Sequence, residues 1–143
     1  MLGRHLDLVR EKVRALLGDP RACHQLGALY ATGDQGNWPE LKNSGKALRW
    51  YERGARMGDP ECQYDLGFMY LSGEGAAQDP HAGVRLLEQA ASQGFCNAIR
   101  LMADLFATGA HGVAADSGQA ERWSHLLSAH LARHPEDKRL YER

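Results

Sequence analysis

The chain has 143 residues, enough for one domain with a core of its own and no need of disulfides or metal. Hydrophobic residues make up 43% and charged residues 24%, which excludes a disordered or fibrous chain. Seventeen Lys and Arg against eighteen Asp and Glu give a net charge of −1, without the basic excess of a nucleic-acid-binding domain. No apolar run approaches the roughly 18–20 residues of a membrane helix, and the first residues interleave charge with apolar side chains, unlike a secretory leader. Cys23, Cys62 and Cys96 lie far apart and cannot all pair, so a reducing, cytoplasmic setting with free thiols is expected.

In chain order, Leu6, Val9, Val13, Leu16 and Leu17 form an apolar stripe on a helix from about Arg4 to Leu17. Next comes Asp19-Pro-Arg-Ala-Cys-His-Gln-Leu-Gly-Ala-Leu-Tyr-Ala-Thr-Gly33, and forty residues later Asp59-Pro-Glu-Cys-Gln-Tyr-Asp-Leu-Gly-Phe-Met-Tyr-Leu-Ser-Gly73 repeats it. Asn97 to Gly109 is a third, looser copy at an offset of 36. Asp-Pro predicts an N-cap followed by proline at the first helical position, and the closing glycines predict left-handed C-caps. Gly27 and Gly67 sit inside their helices, where glycine costs about 1 kcal/mol against alanine, so close helix approach is expected there. Ala103 takes that place in the third copy.

Each copy is followed by a loop and a second amphipathic stretch: Lys46 to Gly58, Ala82 to Gly94, and Gln119 to about Arg133. Trp50, Leu86 and Trp123 are the expected core positions of these second helices, followed by the small pairs Gly54-Ala55 and Ala90-Ala91. The first loop, Asp34 to Gly45, is four residues longer than its counterpart and carries Trp38, either tucked under neighbours or offered to a partner. Pro135 is expected to end the last helix or to restart a short one.

The spacing Ala-x3-Leu-Gly-x2-Tyr-x2-Gly, a loop, then Ala-x2-Trp-x3-Gly/Ala-Ala-x2-Gly resembles the Sel1-like repeat, a relative of the tetratricopeptide repeat. The resemblance implies an all-α, right-handed α-solenoid of three Sel1-like helix-turn-helix repeats with an N-terminal capping helix. The whole chain, 1–143, then divides into a cap (4–18), three repeats (19–58, 59–94, 95–132) and a tail (133–143). It also implies a non-enzymatic protein-interaction module: a signalling adaptor, an inhibitor, or a bacterial immunity protein that neutralises a cognate toxin.

In such stacks the first helix of each repeat lines the concave side. The positions facing that groove are Arg21, His24, Ala28, Ala31 and Thr32; Glu61, Tyr64, Phe68, Leu71 and Ser72; Asn97, Arg100, Asp104, Ala107 and Thr108. Packed positions repeat while these vary, with Ala28, Phe68 and Asp104 at one equivalent place, so the fold does not dictate them. Tyr64 and Phe68, rimmed by Arg21, His24, Glu61, Arg100 and Asp104, resemble a binding hot spot for one protein partner. The alternative is that both aromatics pack against the loop or the next repeat.

No cofactor motif is present: neither G-x-G-x-x-G nor G-K-[ST] occurs, and no H-E-x-x-H or G-x-S-x-G. His130 and His134, spaced i, i+4, with His125 nearby, are the candidates for a metal-dependent enzyme or sensor, with His111 or Glu136 as imaginable further ligands. The competing reading is a solvated helix end, where His complements the dipole, so no metal is assigned. Cys62 occupies the small-residue position of Ala22 and Ala98 and reads as a packed core thiol.

Overall fold

A computed structural model describes residues 2–34 and 38–140; residues 35–37 of the long first loop and the last part of the tail lie outside it. Among the described residues seven α-helices follow one another: α1 (Leu2–Leu16), α2 (Pro20–Thr32), α3 (Ser44–Arg56), α4 (Pro60–Ser72), α5 (Pro80–Ser92), α6 (Cys96–Thr108) and α7 (Ser117–Arg133). Short 3-10 turns span Pro39–Leu41 and Pro135–Leu140, the second being the restart expected after Pro135. No strand occurs among the described residues. Each helix packs on its successor in sequence, with α2–α3, α4–α5 and α6–α7 as the intimate pairs and α1 laid against α2. This is an α-solenoid of stacked helix pairs.

Local chemistry explains the boundaries. The Asp19 carboxylate accepts from the amides of Arg21 and Ala22, and Asp59 accepts from Cys62. Asp79, Asn43 and Asp116 cap α5, α3 and α7 in the same way. Only α6 begins without a side-chain cap among these pairs, behind Phe95. Gly33, Gly73 and Gly109 end the first helices at φ of 63°, 74° and 68°, left-handed backbone that glycine adopts without strain. A backbone bond then recurs in all three repeats. Asn43, Asp79 and Asp116 donate their amides to the carbonyls of Tyr30, Tyr70 and Phe106 at 2.7, 2.8 and 2.8 Å.

The core is two contiguous clusters. Ala15, Ala22, Cys23, Leu26, Tyr30, Ala47, Tyr51, Cys62, Leu66 and Met69 fill the first. Leu71, Leu87, Ala98, Met102, Leu105 and Trp123 are among those filling the second. A Cβ on Gly67 would sit 3.0 Å from the Gly83 carbonyl oxygen and 3.3 Å from Leu87 Cγ, so α4 and α5 approach closely at that point. Cys62 is fully buried, as are Ala22 and Ala98 at the equivalent places, and all three cysteines are free and buried. Burial among apolar neighbours pushes the Cys62 and Cys23 thiols up, away from reactive thiolate.

Three expectations need correction. In the second helices it is Tyr51 and Leu87 that are buried, whereas Trp50 and Leu86 are only half-buried; Trp123 is buried as expected. A helix between two neighbours has two buried edges, so its apolar period does not single out one residue. Leu71, placed on the groove by spacing, is wholly buried against Gly83 and the second cluster. The α1 stripe of Leu6, Val9, Val13, Leu16 and Leu17 does not face the stack; α1 meets α2 through Leu8, Lys12 and Ala15 instead.

Candidate functional site

The face formed by the first helices carries the residues singled out by sequence. His24, on α2, is held between two carboxylates of α4: Nδ1 lies 3.1 Å from Glu61 and Nε2 2.9 Å from Asp65. The bond to Asp65 is the main cause that raises the His24 pKa, partly opposed by burial and aided by the fields of Asp65, Glu61 and Asp59. His24 therefore ties α2 to α4, and the two carboxylates favour its protonated form. Arg21 is exposed at the start of α2.

In the next repeat, at the place equivalent to His24, Tyr64 is half-buried and meets Phe95 edge-on at 5.4 Å between ring centres. Burial pushes its phenol pKa up. Tyr64, Asn97, Arg100, Leu101 and Asp104 enclose a cleft of about 250 Å³ between α4 and α6. Phe68 stands 40% exposed and meets His111 edge-on, with 5.9 Å between ring centres. Packing on the next repeat thus takes up part of Tyr64 and leaves much of Phe68 in solvent.

Trp38 is half-buried, with the Arg4 guanidinium 5.4 Å from its ring centre. It lines a cleft of about 550 Å³ together with His24, Ala28 and Thr32 of α2 and Asp7 and Glu11 of α1. The loop and the groove, posed as alternatives by sequence, share one wall. Among the described residues the first-helix face thus carries a cleft toward α1 and another toward α6, with the bridge from His24 to Glu61 and Asp65 joining α2 to α4.

Asp65 was not among the sequence candidates. It lies one residue beyond the groove register, and only a contact across a separation of 41 residues reveals its role. The histidine trio does not assemble: His125 is exposed, and the group that gathers is Cys96, His130 and Asp137, with donor atoms within 4.8 Å of one another. His130 Nε2 lies 2.7 Å from Asp137, and the His134 ring stacks on His130 at 4.7 Å while its Nδ1 meets Glu136 at 3.2 Å.

Stacked helix pairs, left-handed glycine caps and a variable first-helix face define a tetratricopeptide-like interaction solenoid. The Sel1 repeat model matches residues 20–59, 60–95 and 97–129, and the chain belongs to the Sel1 repeat family. A Sel1 repeat protein from Oxalobacter formigenes superimposes with a TM-score of 0.73 at 28% identity, over 83% of this chain and 87% of that one. A protective antigen present in uropathogenic Escherichia coli strains, displaying an SLR fold, gives 0.74 at 30% identity over 85% of this chain and 25% of its own. Chitin synthase regulatory factor 3 of Schizosaccharomyces pombe is 35% identical over 98 residues, 63% of this chain. This chain spans about a tenth of that relative's length. Sel1 repeat proteins are in general protein-interaction modules. No helix among the described residues is long and apolar enough to cross a membrane.

Proposed function

We propose that the chain binds one specific protein partner through its first-helix face, as an adaptor or an inhibitor, with Tyr64 and Phe68 at the centre of the contact. The observation that carries this reading is Phe68. It is an exposed aromatic at a position where the neighbouring repeats place Ala28 and Asp104, so packing does not call for it. Arg21, Glu61, Arg100 and Asp104 form the rim, where charge acts on association rate and salt dependence more than on fit. The Trp38 cleft extends the surface toward α1. Neutralising a bacterial toxin is one form of this function, and a toxin partner would select it. Three buried free thiols support residence in a reducing cytoplasm.

Affinity purification from the native cell with mass spectrometry names the partner, and calorimetry then compares wild type with Tyr64→Ala/Phe68→Ala. A folded double variant should lose at least about a hundredfold in affinity, roughly 2.7 kcal/mol. A folded variant that binds as before removes the groove from the interface.

A second reading, of another class, is a metal-dependent sensor, and the Cys96, His130 and Asp137 group is what favours it. A thiolate, an imidazole and a carboxylate suit zinc. Zinc should then raise the melting temperature of wild type and leave that of Cys96→Ser unchanged. No shift in wild type removes this reading.

A further inference from the structure

The outer surface of α1 differs in kind from the outer surface of α3, and the fold does not require the difference. The two helices correspond at an offset of forty residues. Gly18 and Gly58, at φ of 98° and 84°, each precede a capping aspartate, Asp19 or Asp59. Lys12 lies over the Tyr30 ring at 5.8 Å, where Glu52 accepts from the Tyr70 hydroxyl at 3.4 Å. With that register, Ala47, Tyr51 and Gly54, buried in the cluster that α3 shares with α2 and α4, correspond to Asp7, Glu11 and Arg14. Those are charged, and Arg14 is tied to Glu11 and Asp19.

The apolar residues of α1 stand elsewhere. Leu6, Val9, Val13 and Leu16 correspond to Lys46, Arg49, Arg53 and Arg56, the solvent side of α3. Together with Leu17 they are between 46% and 83% exposed and account for most of the exposed large apolar residues among those described. An isolated exposed leucine needs no explanation, but a continuous stripe does. The spacing 6, 9, 13, 16 is the three-four alternation of a helix–helix seam. A basic row lies beside it: Arg53 donates to the carbonyls of Ala15 at 3.2 Å and Leu16 at 3.0 Å, with Arg49 and Arg56 exposed on the same helix.

We infer that the outer face of α1 is a second docking surface, separate from the first-helix face, and that its occupant is an amphipathic helix of a partner protein with acidic residues flanking its apolar seam. Charge complementarity selects that occupant. A second copy of this chain would bring two basic rows together, with Arg10 of each copy beside the seam. A lipid surface is served by interfacial helices whose polar side is rich in Lys and Arg, and the polar side of α1 also carries Asp7 and Glu11.

The test uses the full chain and a labelled 21-residue peptide with Leu at heptad positions a and d and Glu at e and g, against the same peptide with Lys at e and g. The Glu peptide should bind, gain helicity and weaken with added salt, while the Lys peptide should not bind. Val9→Glu/Val13→Glu should weaken the Glu peptide at least tenfold. Arg49→Glu/Arg56→Glu, which leaves α1 intact, should do so as well and decides the matter if the first variant fails to fold. Tyr64→Ala/Phe68→Ala should bind the Glu peptide like wild type, and a loss there would place the peptide in the groove and overturn the assignment. No binding of the Glu peptide, or equal binding of both peptides, overturns it too. So does a dimer in light scattering that Val9→Glu/Val13→Glu dissolves, or sedimentation with phosphatidylserine-containing vesicles that the same variant abolishes.

Discussion

Two faces of the same three helices follow opposite rules. On the face turned toward the second helices, Ala22, Cys62 and Ala98 are fully buried at one equivalent position, and Leu26, Leu66 and Met102 are buried at the next. On the other face, His24, Tyr64 and Arg100 share one position, and Ala28, Phe68 and Asp104 another. The first face changes only within a narrow range of volume and polarity because each residue fills space against two neighbouring helices. The second changes charge, size and aromaticity from repeat to repeat with no disturbance to the stack. Divergence inside one chain therefore separates what packing requires from what is left for recognition.

The hardest test of the buried face is Gly67→Val. The Gly83 carbonyl oxygen and Leu87 leave no room for a branched side chain, so α4 and α5 must separate. The loss should match or exceed that of a core truncation, and a denaturation midpoint equal to wild type would show that the close approach is not needed. Leu66→Ala, which empties a buried site in the first core cluster, should cost on the order of 2–5 kcal/mol by chemical denaturation.

Crossing to the variable face should shrink the effect. Phe68→Ala removes a ring that is 40% exposed and should lower stability by less than about 1.5 kcal/mol, the range of one aromatic pair, such as the ring's contact with His111. A loss as large as that of Leu66→Ala would erase the distinction between the faces.

The smallest effect is a pH dependence. The carboxylate of Asp65, with Glu61, raises the His24 pKa in the folded chain, so folding favours the protonated ring. Its contribution is complete below the ordinary imidazole value near 6.5 and is lost as pH rises through the raised value. The stability gap between wild type and His24→Gln should therefore be wider at pH 5.5–6 than at pH 8.5, by about 1 kcal/mol or less. A gap that stays constant or widens with pH would mean that the bridge between α2 and α4 does not depend on charge.

The helices and their partners were legible because their ends are written in short-range chemistry. Aspartate accepts from amides two or three residues on, and glycine takes the left-handed turn, so both signals act within one stretch of chain. What escaped is what depends on distance in sequence. Asp65 reaches His24 across 41 residues, and Asp137 comes to His130 only because the chain turns at Pro135. The α1 stripe was legible as a stripe but not as an exposed one, since helical periodicity marks a face without saying what covers it. The one-residue difference between Trp50 and Tyr51, and between Leu86 and Leu87, arises where a helix is flanked on two sides.

The backbone bond that closes each pair has a consequence for how such a chain changes length. In the first repeat the connection from Gly33 to Asn43 is four residues longer than that from Gly73 to Asp79, yet both end on the same amide-to-carbonyl bond, 2.7 and 2.8 Å long. The left-handed glycine fixes one end and the capping residue the other, so residues added between them leave the helices in register. Lengthening a loop whose ends are already held is inexpensive, with about 0.6 kcal/mol for each doubling. Those connections are natural ports for grafting: a recognition segment inserted after the glycine acquires a rigid frame, and the frame need not be redesigned to receive it.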